Sequence, residues 1–220
     1  MIAAGALLFS AMLDEEIGYI VDMGVDLRLN SPVKSMKALL DQGYDAVFIG
    51  SGAPKGKELD IPGRWDPAVR DQIHIGIEWL SSVHFGHIES IGENVLIIGV
   101  GNTAMDCCRT SMRLGGKDVR VVVRSPFEDM KASPWEKEDA VHEGIPIINY
   151  HVPTAFIHQH GKLTGMTFQI VQAVYDQAGK RTLEPTSDTE VFFDCDTVLL
   201  AVGQENAFPW IEAHAGIAFN

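Results

Sequence analysis

The stretch 94–124 constrains this chain more than any other, because it reads as strand, glycine turn, helix and strand in succession. The apolar run Val95–Ile98 is typical of a buried parallel strand. A helical pattern over 102–114 follows the turn and ends at a pair of glycines, which tolerate the backbone of a helix end. With a second apolar strand at Val119–Val123, the stretch predicts a βαβ unit of the length that a dinucleotide site needs.

The turn of this unit has the spacing G-x-G-x-x-A, formed by Gly99, Gly101 and Ala104. The first glycine permits a sharp turn, the second lets the backbone approach a pyrophosphate, and the alanine keeps the helix close to the strand. The first amide groups of the helix and its dipole favour an anion. The sequence therefore predicts a dinucleotide-binding site, and a glycine turn that binds nothing is the alternative.

The residue that ends the second strand indicates which dinucleotide binds. Enzymes that use NAD usually carry Asp or Glu there, which holds the ribose 2′-hydroxyl. This chain has Arg124, followed by Ser125 and, after a short loop, by Lys131. An arginine suits the 2′-phosphate of NADP, although Glu128 and Asp129 weaken the positive field and a solvated arginine is the alternative. We expect NADP(H) in preference to NAD(H).

Composition and charge exclude several classes of protein. The 220 residues carry a net charge of −13 and no basic stripe, which argues against a nucleic-acid partner. The apolar start lacks a positively charged region and is too short to span a bilayer, so we expect no membrane partner. The 3 cysteines form no C-x-x-C motif and are interpreted as small buried hydrophobes, which favours a reducing cytoplasm.

The rest of the pattern predicts an α/β fold. Helical spacing predicts helices over 12–23, 35–42, 73–85 and 134–142. Apolar runs predict strands over Val25–Leu29, Tyr44–Ile49, 145–150 and 196–202. Between 155 and 193, β-patterned segments separated by turns at 160–162 and 177–180 predict a hairpin or a three-stranded antiparallel piece over the parallel sheet.

No other group of residues predicts a chemical site. His158 and His160 are two residues apart on a predicted strand, but no third ligand has a suitable spacing, so we expect a surface pair and no metal. We assign no catalytic residue, because no nucleophile and base stand out. Such a pattern fits hydride transfer, in which the cofactor performs the chemistry and the protein positions it.

In chain order, four motifs resemble the NADPH- and FAD-dependent oxidoreductase family typified by the small subunit of glutamate synthase. The electron-input half of dihydropyrimidine dehydrogenase belongs to the same group, and adrenodoxin reductase is a more distant relation. The four motifs together extend over nearly the whole chain. They are GVDLRLN from Gly24, YDAVFIGSGA from Tyr44, GVGNTAMD from Gly99 and AVG from Ala201.

The resemblance implies a Rossmann-like NAD(P)-binding domain, with a parallel sheet and an antiparallel β piece, inserted in a truncated FAD-binding domain. The expected borders give a partial FAD-binding domain at 1–62, the NAD(P)-binding domain at 63–195 and the return of the FAD-binding domain at 196–220. The positions that match the family's NADP contacts are Val100, Gly101, Asn102 and Thr103 at the pyrophosphate, Arg124, Ser125 and Lys131 at the 2′-phosphate, and Ala201, Val202 and Gly203 towards the nicotinamide. For FAD, the resemblance implies a backbone contact to the adenine at Val33. It also implies a role for Gly52, which closes the predicted strand Tyr44–Ile49.

The departures from the family led us to expect a fragment. The FAD fingerprint of the family, its Gly-Asp motif and its cysteine-rich iron–sulfur segment have no match in this sequence. The expected activity is hydride transfer from NADPH to FAD, with electrons passed to a partner domain or subunit, for which an iron–sulfur protein is one alternative. A non-catalytic dinucleotide-binding or scaffold module without flavin is a second hypothesis. A disulfide reductase of the thioredoxin reductase type is a third, and it needs a C-x-x-C motif that the chain lacks.

Overall fold

The computed structural model describes residues 2–176 and 181–212, with side chains from Met12 onward except at 188 and 189. Its helices are α1 (Ile2–Asp22), α2 (Met36–Leu40), α3 (Gly76–His84), α4 (Asn102–Arg113) and α5 (Pro134–His142). Its strands are β1 (Lys55–Gly56), β2 (Ile73–Ile75), β3 (Asn94–Gly99), β4 (Asp118–Val122), β5 (Ile147–Ile148), β6 (His151–Gln159), β7 (Lys162–Tyr175), β8 (Arg181–Asp194), β9 (Thr197–Ala201) and β10 (Gln204–Glu205). The turn predicted at 177–180 lies outside the described residues.

The chain divides into two units, a discontinuous one of Met1–Ile49 and Phe208–Asn220 and a continuous one of Gly50–Ala207. In the discontinuous unit, the returning segment is tied to the start of α2. Ser35 Oγ accepts a hydrogen bond from Ala38 N–H at 3.0 Å and donates one to the carboxylate of Glu212. The partial FAD-binding domain expected at 1–62 is divided between the two units. Residues 1–49 belong to the discontinuous unit, and residues 50–62 belong to the continuous one.

Two strands predicted in the first 49 residues are wrong. Neither Val25–Leu29 nor Tyr44–Ile49 forms regular structure, and Phe48 is 95% exposed. The apolar character of a run does not by itself make a strand, because its N–H and C=O groups need a neighbouring strand. In the described part of the chain, no strand pairs with either run.

The continuous unit contains a five-stranded parallel sheet in the order β2-β9-β3-β4-β5. Alternate side chains of β3 face opposite sides of it. Val95 and Ile97 pack with residues of α3, α4 and α5, whereas Leu96 and Ile98 pack with residues of the antiparallel sheet β6-β7-β8. The predicted fold class, an α/β parallel sheet with an antiparallel β piece over it, is confirmed.

One predicted helix begins later than expected. The segment 73–85 starts as β2, an edge strand of the parallel sheet, and only Gly76–His84 is helical. Ile73 and Ile75 are buried with an intermediate His74 between them, which is the alternation of a strand. The run was too short for periodicity to separate strand from helix.

A cluster of charged residues joins α4 to α5. The Arg109 guanidinium donates hydrogen bonds to the carboxylates of Glu143 at 2.8 Å and Glu136 at 3.2 Å, and it lies 3.2 Å from the carboxylate of Asp139. Arg113 bonds the same Glu143 at 2.9 and 3.0 Å. The Arg113 guanidinium, together with that of Arg109, holds the pKa of Glu143 below its ordinary value.

We expect Glu143→Gln to lower the free energy of unfolding near neutral pH by about 0.5–1 kcal/mol, the scale of a partly exposed ion pair. A carboxyl whose folded-state pKa is lowered stabilises the fold above its unfolded pKa, about 4.3 for Glu, and loses that effect as the pH falls through the folded value. Urea unfolding should therefore separate the variant from the parent chain at pH 7, and the difference should be smaller at about pH 3. Glu138→Gln, on the exposed side of α5, is the matched control. An equal difference at both pH values would contradict the assignment.

Candidate functional site

The strand order of the parallel sheet reverses between β3 and β9. The strands β4 and β5 lie on one side of β3, whereas β9 and β2 lie on the other. Ligands of such sheets bind outside the carboxyl ends of the strands at this point. A cavity of about 230 Å³ lies there. We call it the crevice, and its lining residues are Gly56, Ile75, Ile77, Val100, Gly101, Thr103, Arg124, Lys131, Leu200, Ala201, Val202, Gly203 and Gln204.

The three small residues of the G-x-G-x-x-A spacing have different surroundings. Gly99 pairs with Ala201 of β9, and a Cβ added to it would lie 2.2 Å from the Ala201 carbonyl oxygen. A Cβ added to Gly101 would meet nothing within 4 Å, so open space lies in front of this backbone. Ala104 is fully buried in the core under α4. The first and third positions therefore serve packing, while the second faces the crevice.

The N-terminus of α4 faces this turn without a side-chain cap. Within residues 2–176 and 181–212, no acceptor is recorded for the N–H groups of Asn102 and Thr103. Both groups belong to the first turn of a 12-residue helix, whose dipole is positive at this end. The arrangement suits the oxygens of a phosphate or pyrophosphate.

Two cations, Arg124 and Lys131, line the crevice. Both side chains are exposed, and in the described part of the chain neither has an ion-pair partner. Of the two acidic residues expected to weaken their field, Glu128 and Asp129, the second forms an ion pair with Arg181 of β8. In a chain with a net charge of −13, two such cations at the end of one sheet favour an anionic ligand.

Ser125 differs from its neighbour Arg124, because its side chain is buried. Its Oγ has no hydrogen-bond partner among the described residues, and the residue does not line the crevice. Its backbone carbonyl oxygen accepts a hydrogen bond from Asn149 Nδ2 at 2.8 Å. In this conformation, the Ser125 hydroxyl is closed to a ligand in the crevice.

The end of β9 and the loop after it form the opposite wall of the crevice, through Ala201, Val202 and Gly203. The short strand β1 pairs with β10, and Lys57 N–H donates to the Gly203 carbonyl oxygen at 3.0 Å. The wall residues Gly56, Ile75, Ile77, Leu200 and Gln204 were missed by the sequence analysis. No motif marks them, because sheet pairing and, for Ile77, the packing of α3 bring them to the crevice over long sequence distances.

The two residues expected near FAD lie outside the crevice. Val33 belongs to the discontinuous unit and is 40% exposed. Gly52 belongs to the continuous unit and has a φ of +68°, which favours glycine. An added Cβ at Gly52 would meet nothing within 4 Å.

Neither the cysteines nor the histidines of the described residues line the crevice. All 3 cysteines are free and buried, and burial raises the pKa of Cys108 and Cys195 to about 12. Burial also raises the pKa of Cys107. His158 Nε2 lies 3.1 Å from the carboxylate of Asp66, and the described residues contain no group of His, Cys, Asp and Glu that could hold a metal ion. None of the described helices has both the length and the apolar character to cross a membrane.

Comparison with known sequences identifies a family. The sequence pattern described as pyridine nucleotide-disulphide oxidoreductase matches residues 12–220. Subunit beta of the NADPH-Fe(3+) oxidoreductase of Geobacter sulfurreducens is 30% identical over 210 residues, which are 94% of this chain and 31% of that protein. The small chain of glutamate synthase [NADPH] of Escherichia coli is 28% identical over 209 residues, 88% of this chain and 43% of that protein. The chain therefore spans less than half the length of these relatives.

Comparison with solved structures shows the same fold. FprA of Mycobacterium tuberculosis, in a complex with NADPH, matches with a TM-score of 0.62 over 83% of this chain and 54% of that one, at 15% identity. The thioredoxin reductase of T. acidophilum matches with a TM-score of 0.51 over 71% of this chain and 44% of that one, at 17% identity. At these identities, the likeness concerns the fold alone.

Proposed function

This chain belongs to the pyridine nucleotide-disulphide oxidoreductase family, and from that premise we propose that it forms the NADPH-binding part of a flavoprotein oxidoreductase. In the proposed reaction, NADPH supplies a hydride to FAD, and the electrons pass to a partner domain or subunit. The observation that carries the proposal is the crevice itself. It combines open space at Gly101, two free N–H groups at the start of α4, and the cations Arg124 and Lys131.

The residues of the crevice fit the parts of NADPH. The N–H groups of Asn102 and Thr103 would donate to the pyrophosphate, which approaches the backbone at Gly101. Arg124 and Lys131 would hold the 2′-phosphate through charge-assisted hydrogen bonds. We do not include the Ser125 side chain in this contact, because it is buried.

The opposite wall would hold the nicotinamide. Val202 and Gly203 follow β9, and the apolar side chains of Ile75 and Ile77 line the same cavity. An apolar wall limits the access of water to a reactive ring. Hydride transfer of this kind needs no acid or base from the protein, since the group that changes charge is the cofactor.

The two units suggest how the parts are divided. We assign the NADP-binding domain to Gly50–Ala207 and part of an FAD-binding domain to the discontinuous unit. The candidate FAD contacts are Val33 in the discontinuous unit and Gly52 at the start of the continuous one. The strand Thr197–Ala201, expected in the returning FAD segment, lies in the parallel sheet beside β3 and is included in the NADP-binding domain. Relatives named as subunits of an NADPH-Fe(3+) oxidoreductase and of glutamate synthase support an electron-accepting partner.

Disulfide reduction is the less favoured reaction. A thiol must ionise to attack a disulfide, and the raised pKa of each cysteine keeps it protonated near neutral pH. Burial also denies a substrate access to the sulfur atoms. The non-catalytic hypothesis differs from the proposal only in the absence of flavin, so cofactor titration separates the two.

We expect the chain to bind one NADPH and to bind it more tightly than FAD, because the chain contains one complete G-x-G-x-x-A turn and the crevice surrounds it. Isothermal titration with each cofactor measures both affinities and stoichiometries. The absorption of any flavin that copurifies distinguishes a flavoprotein from a module without flavin. Stoichiometric FAD binding together with no NADPH binding would overturn the assignment of the crevice.

A further inference from the structure

The loop between β4 and α5, residues 125–133, is fastened to the glycine turn. Ala132 N–H donates to the Val100 carbonyl oxygen at 2.9 Å, and Ser133 N–H donates to Asn102 Oδ1 at 2.8 Å. Asn102 Nδ2 in turn donates to Ser133 Oγ at 3.2 Å. The backbone N–H of Ser133 identifies the amide oxygen of Asn102, since only an acceptor can face a donor.

These bonds fix the direction of Lys131. The residues on either side of it, Met130 and Ala132, are buried at 5% and 4% exposure, whereas Lys131 is exposed and lines the crevice. In an extended segment, neighbouring side chains point to opposite sides. With Met130 and Ala132 held in the core, Lys131 projects from the other side of the segment, where it lines the crevice.

Asn102 lies at the start of α4, yet its side chain bonds the loop that contains Ser133. It is the first residue of α4, and its side chain does not cap its own helix. Its backbone N–H therefore remains free for a phosphate, while its side chain holds the next loop. One residue thus joins the pyrophosphate end of the crevice to the loop that carries Lys131.

We propose that Asn102 is a positioning residue for cofactor selectivity, which holds Lys131 at the 2′-phosphate by bonding Ser133. The inference rests on the proposed NADPH site and deepens it. Without the Asn102 bond, the loop would be held to the turn by the Ala132–Val100 bond alone, and Lys131 would still attract the phosphate but would lose part of its contact to the added motion of the loop. The effect should appear with NADPH, which has the 2′-phosphate, and not with NADH.

The test compares Asn102→Ala, Lys131→Ala and the double variant in the full chain, with dissociation constants for NADPH and NADH. We expect Asn102→Ala to weaken NADPH roughly 3- to 10-fold more than NADH, which is part of one charge-assisted contact. If Asn102 acts through Lys131, the double variant should lose NADPH affinity relative to NADH affinity by no more than Lys131→Ala alone does. Ser133→Ala is the matched control, since it keeps the N–H that Asn102 accepts and should change the NADPH/NADH ratio less than about twofold.

A second readout needs no cofactor. Asn102→Ala should speed the amide hydrogen exchange of Ser133, whose acceptor it removes, while the melting temperature stays near that of the parent chain. The inference would be overturned if Asn102→Ala weakened NADPH and NADH binding equally, or if amide exchange at Ser133 did not change. It would also be overturned if the NADPH-selective losses of the two single variants added up in the double variant. If the parent chain binds neither nucleotide, the proposed function fails as well, and that result is distinct from a parent chain that binds both but shows no role for Asn102.

Discussion

Gly101→Val is expected to lower the affinity for NADPH by more than about 100-fold and to leave the fold intact. The backbone at Gly101 has φ −105° and ψ 179°, an extended conformation that valine adopts readily. A Cβ at this position meets nothing within 4 Å in the protein, so the side chain would extend into the space that the pyrophosphate needs. Loss of two phosphate hydrogen bonds, each about 1.5 kcal/mol or more, gives the stated factor.

Gly99→Val is the matched variant with the opposite outcome. Its added Cβ would lie 2.2 Å from the Ala201 carbonyl oxygen, which belongs to the neighbouring strand and cannot move alone. We expect this variant to lose at least about 1–3 kcal/mol of stability through overpacking. Thermal unfolding and NADPH titration of both variants separate the two roles. Unimpaired NADPH binding by Gly101→Val would show that this turn is not the phosphate site.

Arg124→Ala is expected to weaken NADPH binding roughly 10- to 100-fold while NADH binding changes little. A charge-assisted hydrogen bond contributes about 1.5–3 kcal/mol, and only NADP has the 2′-phosphate that would accept it. Because Arg124 is exposed, the selective loss should shrink as the salt concentration rises. Dissociation constants of both nucleotides at low and moderate salt measure the effect.

Arg70→Ala is the control for charge alone. Arg70 is also an exposed arginine, but it precedes the parallel strand β2 and lies at the amino edge of the sheet, whereas Arg124 follows β4 at the carboxyl edge. Its removal should leave the ratio of the two affinities unchanged. If Arg124→Ala weakened the binding of NADPH and of NADH equally, the arginine would support the fold and would not bind the 2′-phosphate.

The sequence predicted the part of the fold in which local pattern and tertiary structure agree. The βαβ unit at 94–124, the family and the antiparallel piece are confirmed. The βαβ unit depends on short-range signals, namely a buried β-branched run, a glycine turn and a helix stop, and the antiparallel piece depends on β-patterned segments separated by turns. The strand at Tyr44–Ile49 failed because strand formation needs a partner that periodicity does not reveal.

The candidate site divides in the same way. The glycine turn and Arg124 were visible in the sequence, because the motif fixes the turn between β3 and α4 and Arg124 follows the second strand of the same βαβ unit. The burial of Ser125 and the bond from Asn102 to Ser133 were not, since both depend on how the loop packs on the sheet. The pairing of Asp129 with Arg181 also joins residues 52 positions apart, beyond the reach of any local pattern.

Amide hydrogen exchange of the chain with and without NADPH shows whether the nucleotide binds in the crevice. We expect slower exchange with NADPH at 100–103, at Lys131 and at 201–204, which together surround the crevice. We also expect no change at Arg70–Gln72 beside the amino edge of the same sheet. Protection at that amino edge, or none at the glycine turn while NADPH is bound, would contradict the account.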